Sequence, residues 1–266
     1  MASDRTSELK RSGATGPVAT AQEVAREWGL RLGEPYPVRH SFVAPAGDDA
    51  VLKVSLPSDD ESLFEADALR LWDGRGAPRL LRHDARRRAL LIERARPGHD
   101  VTDLDDDDAL RAALDVARLL WRPAPPSPFE RVADRVPTWL AHVAGHPLVA
   151  EAQRRYAALT PRDDVLVHGD LHHHNLLRHD VRWIAIDPKP MLGEREYDVV
   201  TLLWNPIGHV PDRASVQRRI ALFASAGLDA SRVRDWAIVR GSYLGFPLRA
   251  AGERPQHTVV RILLES

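Results

Sequence analysis

A chain of 266 residues with a net charge of −1 and no cysteine is long enough to bury one large core or two small ones. Near-neutral charge argues against a general nucleic-acid or membrane-binding surface, and the lack of cysteine excludes a disulfide framework or a thiol nucleophile. No apolar run approaches the ~18 residues that a membrane-spanning helix needs.

Residues 1–17 are polar, lack the apolar core of a signal peptide, and are expected to form a loose tail; a cytoplasmic location follows by default. Residues 18–30 read as a helix with Trp28 on its apolar face. Residues 38–43 and 50–56 are apolar alternations separated by Pro45, Gly47, Asp48 and Asp49, which predicts a hairpin. Ser58 followed by Glu61 has the form of a capping box opening a helix that runs to Trp72 and stops at Gly74. Residues 79–83 and 88–93 read as two more strands, and residues 94–98 as a turn-rich crossing. The pattern then becomes helical over 105–121, 129–143 (with Pro137 as a kink or break) and 146–159, with 123–128 as a short proline-rich linker. Two strands surround residues 168–175. Further helices are expected from Arg195, from Asp212, and from Asp229 to the end. A small antiparallel sheet with one main helix, followed by a helical body, is a bilobal, protein-kinase-like α+β arrangement: an N-lobe over 1–93, a hinge over 94–98 and a C-lobe over 99–266.

The most informative stretch is residues 165–187. Apolar Val165, Leu166 and Val167 lead into His168-Gly169-Asp170-Leu171-His172-His173-His174-Asn175, and a second apolar run, 183–186, ends on Asp187-Pro188. Apolar runs of this length read as buried strands, so Asp170 and Asn175 lie on a strand-held loop and Asp187 leaves the next strand. Asp, then Asn five residues on, then Asp after a short hairpin is the layout of a protein-kinase catalytic loop and its metal-binding Asp. Asp170 then orients a hydroxyl and takes its proton, while Asn175 and Asp187, as hard oxygen donors, hold Mg²⁺ on a nucleotide. Upstream, Lys53 is a lone cation on an apolar strand. A buried ammonium needs anions, which a triphosphate and Glu65 supply; Glu61, one turn earlier, is the rival partner. Lysine is otherwise confined to Lys10 and Lys189 in a chain rich in arginine, so a compact ammonium at Lys53 or Lys189 is worth asking about. The backbone at Glu93 and Ala95, on the hinge strand, offers hydrogen bonds to a purine, and ATP or GTP both fit.

The same residues carry a resemblance. His168-Gly-Asp170-Leu-His172-x-x-Asn175 resembles the catalytic loop of the aminoglycoside phosphotransferases and their small-molecule kinase relatives, with Gly169 where protein kinases have Arg. Ile186-Asp187-Pro188 resembles their metal-binding motif, and Gly193-x-x-x-x-Asp198 a later family segment. Leu71-Trp72-Asp-Gly74-Arg-Gly76-Ala77 and the three consecutive histidines are similar to the aminoglycoside/hydroxyurea resistance kinase branch, which includes streptomycin 6-phosphotransferases. The resemblance covers about residues 38 to 206. It implies Mg²⁺-dependent transfer from ATP or GTP to a small-molecule hydroxyl, with a streptomycin-type aminoglycoside foremost. It also implies a phosphate-covering turn without glycine, in which Ser41 serves, and a buried Asp198 that supports the catalytic-loop backbone.

His168 and His172 are expected to support the loop rather than react. Glu194 and Glu196, after the metal-binding loop, are the expected acceptor-binding acids, while the acidic run 103–108 reads as a helix start favoured by the macrodipole. No obligate protein partner is implied. The alternatives are a metabolic kinase for an amino sugar or other polyol and a non-catalytic nucleotide-binding module, against which Lys53, Asp170, Asn175 and Asp187 speak together. A protein kinase is disfavoured because residues 187–198 leave no room for an activation loop. The histidine run invites a zinc-hydrolase reading, but its spacing matches no such motif.

Overall fold

The computed structural model describes residues 16–38, 41–125, 128–143, 145, 147–162, 165–245 and 254–265. Four strands, β1 (Ser41–Ala46), β2 (Ala50–Ser55), β3 (Leu80–Asp84) and β4 (Ala89–Glu93), form an antiparallel sheet in the order β1-β2-β4-β3. The two-residue period of β2 divides its side chains between faces. Leu52 and Val54 point outward onto helix α1 (Pro17–Trp28) and bury Ala21, Val24 and Ala25 in a small separate core. Val51 and Lys53 point the other way, into the cleft. The β2 register sets Lys53 opposite Val43 on β1 and Leu90 on β4, so the cation sits in the middle of the sheet.

The second helix, α2, spans Glu65–Trp72 and starts later than the capping-box reading predicts. Asp60–Ser62 forms a single 3₁₀ turn instead, and no side chain caps α2. Arg88 explains the delay. Its guanidinium donates to the carbonyls of Pro57 (2.8 Å) and Asp59, and the Asp59 oxygen is one that a helix opening at Ser58 would have used for its own ladder.

The turn-rich crossing after β4 also differs from expectation. Pro97–Asp100 is a strand, β5, paired with β7 (Leu176–His179), which pairs in turn with β8 (Arg182–Ala185). Proline at the first position of an edge strand gives up no needed ladder bond. A further pair joins β6 (Val165–Val167) to β9 (Met191–Gly193), a strand too short to read from pattern. The C-lobe helices are α3 (Asp106–Leu120), α4 (Val132–His142, with Pro137 inside), α5 (Pro147–Leu159), α6 (Arg195–Val199), α7 (Arg213–Ser225), α8 (Ala230–Gly245) and α9 (Pro255–Leu264). The helix expected from Asp229 to the end is therefore two helices, and residues 246–253 lie outside the described residues. Asp105 caps α3 through the Asp108 N–H (3.0 Å), and Asp106 pairs with Arg219 (2.6 Å). The acidic run is a helix start tied to α7. Among the described residues no helix is long and apolar enough to cross a membrane.

Trp72 joins the lobes. It is fully buried at the end of α2, donates through its indole N–H to Leu120 O on α3 (2.9 Å), and stacks on His168 of the catalytic loop at 6.4 Å and 11°. Beside it, Ala185 N–H donates to Gly76 O (2.7 Å). The Leu-Trp-Asp-Gly-Arg-Gly-Ala segment thus seats the N-lobe helix on the strand that leads to Asp187. Trp72→Phe keeps most of the apolar surface but removes the indole donor and leaves Leu120 O unpaired. We expect chemical unfolding to show a loss of about 1–3 kcal/mol; unchanged stability would mean that this contact does not hold the lobes.

Candidate active site

The cleft between the lobes has a volume of about 1200 Å³. Lys53 projects into it from β2 and is nearly buried, with its ammonium 2.6 Å from Glu65 Oε2 and 2.6 Å from Asp187 Oδ1. α2 therefore supplies the buried carboxylate from Glu65, not from Glu61, which lines the cleft further out. Burial alone would lower the Lys53 pKa, but the fields of Glu65 and Asp187 more than offset it and hold the ammonium charged above its ordinary value. Burial raises Glu65, with Lys53 opposing. Asp187 would also rise with burial, yet Lys53 and Lys189 bring it well below the usual carboxylate range. Lys189 Nζ stands 3.7 Å from the same Asp187 oxygen. Asp187 sits at φ +56°, a left-handed conformation that Asp tolerates better than most side chains.

The loop between β6 and β7 carries Asp170 and Asn175. Almost every polar backbone group near Asp170 has a fixed partner. His168 N–H and Gly169 N–H donate to the two oxygens of Asp198 (3.0 and 2.9 Å), whose Oδ2 also accepts from the Trp121 indole (2.9 Å). Lys189 N–H donates to His168 O (2.7 Å). His168 is fully buried. Its Nε2–H donates to Ile186 O (3.0 Å) and its Nδ1 accepts from the Asp170 N–H (3.2 Å), a pairing that requires the neutral ring; burial pushes its pKa down accordingly. The carboxyl of Asp170 faces the cleft. Burial would raise its pKa, but His172, 3.7 Å away, together with Arg240 and His168 holds it below the ordinary value. Asn175 Nδ2 donates to Asp170 O (2.9 Å), which ties the amide donor and leaves its Oδ1 for the cleft.

Gly169 is required by this geometry. It sits at φ +80°, and a Cβ there would lie 1.9 Å from Lys189 O. The position that is Arg in protein kinases cannot hold any side chain here, because the backbone of Lys189, between β8 and β9, crosses directly over it.

The three consecutive histidines diverge. His172 turns to Asp170. His173 is buried with neither ring nitrogen paired. His174 Nδ1 donates to Asp100 Oδ2 (2.9 Å), and its Nε2 accepts from Ile207 N–H (3.2 Å). Such an arrangement cannot converge on one zinc ion.

Ser41, Glu93 and Ala95 line the cleft, at β1 and along the crossing from β4 to β5. Glu194 and Glu196 do not, and the expectation that they bind the acceptor is corrected. Glu194 has no exposed surface; Arg232 Nε (2.7 Å) and Nη2 (2.6 Å) and the Arg162 N–H (2.9 Å) saturate it. Glu196 is buried and accepts from Asp229 N–H (3.2 Å). Both brace α6 against the helical body. The further acids that do line the cleft are Asp59, Asp60 and Glu61.

Sequence reasoning missed Trp121, Thr201 and Arg240. Thr201 Oγ1 donates to Leu171 O, and Arg240 reaches the catalytic loop from α8. The signal that marked Lys53, one cation inside an apolar stretch, was equally present around Arg240.

A sheet lysine paired with a helix carboxylate, facing an Asp–Asn loop and a second Asp on a helical lobe, defines the class: a protein-kinase-like small-molecule phosphotransferase. The family model for aminoglycoside/hydroxyurea antibiotic resistance kinases matches residues 33–250, and the chain belongs to that family. It is 33% identical over 229 residues to streptomycin 3''-kinase of Klebsiella pneumoniae, covering 79% of this chain and 84% of the relative. It is 34% identical over 253 residues to hydroxyurea phosphotransferase of Kitasatospora aureofaciens, covering 86% and 71%, and 32% identical over 255 residues to streptomycin 6-kinase of Streptomyces glaucescens, covering 84% and 80%. Among solved structures, choline kinase LicA of Streptococcus pneumoniae superposes with a TM-score of 0.66 over 92% of this chain and 99% of that one, at 11% identity, a likeness of fold.

Two predictions follow from the loop. Gly169→Ala should cost at least ~1–3 kcal/mol from the left-handed backbone alone, with a severe loss of turnover as the Lys189 backbone is displaced; a variant with wild-type stability and activity would contradict the geometry. His173 is held neutral by burial, with its pKa pushed down to about 3, whereas in the unfolded chain it titrates near its ordinary value. Its contribution is therefore complete at neutral pH and is lost as the pH falls from about 6.5 toward 3. Relative to wild type, His173→Phe should gain up to about 1.4 kcal/mol per pH unit in that window. Unfolding curves at pH 7, 6 and 5 with a constant difference would rule this out.

Proposed function

We propose that this chain transfers the γ-phosphoryl group of a nucleoside triphosphate to a hydroxyl of a streptomycin-type aminoglycoside. The observation that carries the reading is the meeting of Lys53, Glu65 and Asp187 with Asp170 and Asn175 in one cleft. In this reading residues 94–98 are the hinge between an N-lobe over 1–93 and a C-lobe over 99–266, and the purine meets the backbone at Glu93 and Ala95. Ser41 covers the phosphates. Lys53, now paired with two carboxylates, turns its ammonium to phosphate oxygens while Glu65 keeps its direction. Asn175 Oδ1 and the free oxygen of Asp187 suit Mg²⁺ as hard donors, and Asp187 is ionised at any working pH. The ion, when bound, neutralises charge on the β- and γ-phosphates.

Asp170 accepts a hydrogen bond from the acceptor hydroxyl and aligns its oxygen with the γ-phosphorus. As the new O–P bond forms and the bond to the β-phosphate oxygen breaks, the hydroxyl proton passes to Asp170. Little basicity is required, because phosphoryl transfer depends chiefly on position and charge neutralisation. The acceptor class is supported by the family, by relatives named as streptomycin kinases, and by Asp59, Asp60 and Glu61 in the cleft lining, which suit guanidinium groups and would repel a second phosphate.

Asp170→Asn should lower kcat by about 10²–10⁴-fold while nucleotide affinity stays within a few fold; near wild-type transfer would sink the assignment. Parallel kinetics with streptomycin, hydroxyurea, glucosamine and a neutral polyol test the acceptor. Streptomycin should give the highest kcat/KM, and its KM should rise about tenfold in Glu61→Gln, the scale of one charged hydrogen bond. If streptomycin gives no phosphorylated product at millimolar concentration while another acceptor does, the resistance reading fails and a metabolic kinase stands in its place.

A further inference from the structure

Arg240 stands in the middle of α8, in the apolar run Trp236-Ala-Ile-Val-Arg240, and is 4% exposed. An arginine is rarely buried unless something specific requires its charge or its shape. No carboxylate pairs with it among the described residues. Its Nη2 donates to Gly169 O, its Nη1 donates to Tyr197 O (3.2 Å), and the guanidinium lies 4.4 Å above the Tyr197 ring. Tyr197 OH in turn bonds Tyr243 OH (2.9 Å) on the same helix as Arg240.

The two carbonyls are not arbitrary. Gly169 O belongs to the peptide unit that leads into Asp170, and Tyr197 O to the one that leads into Asp198. The N–H side of Gly169 is held by Asp198, and Asp170's own N–H and C=O are held by His168 and Asn175. The Gly169 carbonyl is the remaining polar group that decides how the peptide plane before Asp170 is turned. Glycine at φ +80° has no side chain to resist a flip, so the plane depends on its hydrogen bonds. A forked, planar donor reaches both carbonyls at once; a lysine ammonium is a point charge on a flexible stem and cannot match that fork.

We infer that Arg240 is a positioning residue: it fixes the peptide plane between Gly169 and Asp170 and locks it to the backbone of α6, so that the Asp170 carboxylate points at the acceptor hydroxyl. The inference rests on the proposed role of Asp170. It concerns a residue of the late helical body that does not itself line the cleft.

The test uses Arg240→Lys and Arg240→Ala in the full chain, with Asp170→Asn in parallel and the best acceptor found for wild type. Both Arg240 variants should lose about 10²-fold in kcat, the cost of misplacing a catalytic group by about an ångström, while the KM values for nucleotide and acceptor stay within about threefold. Guanidinium at tens of millimolar should restore part of the kcat of Arg240→Ala, and tetramethylammonium at equal ionic strength should not. A folded Arg240→Lys with kcat within threefold of wild type overturns the proposal, as does a rise in KM with kcat intact. Failure of both variants to fold, judged by circular dichroism and melting, would make Arg240 a folding residue and overturn it too. Wild-type turnover in Asp170→Asn would overturn the proton-acceptor reading and this one together, whereas loss in Asp170→Asn but not in Arg240→Lys overturns this one alone.

Discussion

The candidate site is organised around one ion triplet with a buried ammonium at its centre. Lys53 comes from the sheet, Glu65 from the helix beside it and Asp187 from the end of a strand in the other lobe, and all three meet within 2.6 Å of one nitrogen. Removing one member of such a group leaves an uncompensated charge in a region of low dielectric, which costs several kcal/mol, whereas the complete set has little net effect on stability. The triplet is therefore better explained by what it does than by how much it stabilises. It holds a fully charged ammonium on the cleft face and gives it two carboxylates, one buried and fixed, the other half-open. Phosphates can compete for the second without disturbing the first.

The catalytic loop shows the complementary strategy. Asp170 makes few side-chain contacts of its own; its direction is set through the backbone by Asp198, His168, Asn175 and Arg240. Two of these lie on the loop itself and two on separate helices, α6 and α8, and the path of Lys189 over Gly169 leaves no volume for adjustment. A loop built this way is rigid before any ligand arrives, and rigid placement is the main source of catalysis when the chemistry consists of aligning two oxygens about a phosphorus. Trp72 extends the rigidity across the lobes, since the indole that packs under α2 also stacks on His168.

Much of this was legible in the sequence because the chemistry is carried by local patterns. The loop 168–175 and Asp187 are bracketed by apolar runs, and Lys53 stands out as an ammonium in an apolar strand. Three features were hidden for separate physical reasons. The start of α2 was misread because Arg88, about thirty residues away, holds the carbonyls of Pro57 and Asp59 and keeps this segment out of a helical ladder. Strands β5 and β9 are too short to show a period, and their existence depends on partners distant in the chain. Glu194 and Glu196 looked free because a sequence does not show that Arg232 and Arg162 fold back onto one and that Asp229 meets the other. The acidic ledge 59–61 was read as helix-opening chemistry, and its place at the cleft became visible only with the lobes assembled.

In the proposed function, Asp187 would leave its pairing with Lys53 to share Mg²⁺ with the nucleotide. Titration calorimetry of a nucleoside diphosphate, with and without Mg²⁺, on wild type and on Asp187→Asn tests it most directly. Mg²⁺ should tighten binding to the wild type by at least about tenfold, one charge-assisted contact's worth, and the asparagine variant should lose this enhancement while still binding the metal-free nucleotide. Equal affinity with and without Mg²⁺ in the wild type, or an undiminished enhancement in Asp187→Asn, would contradict it.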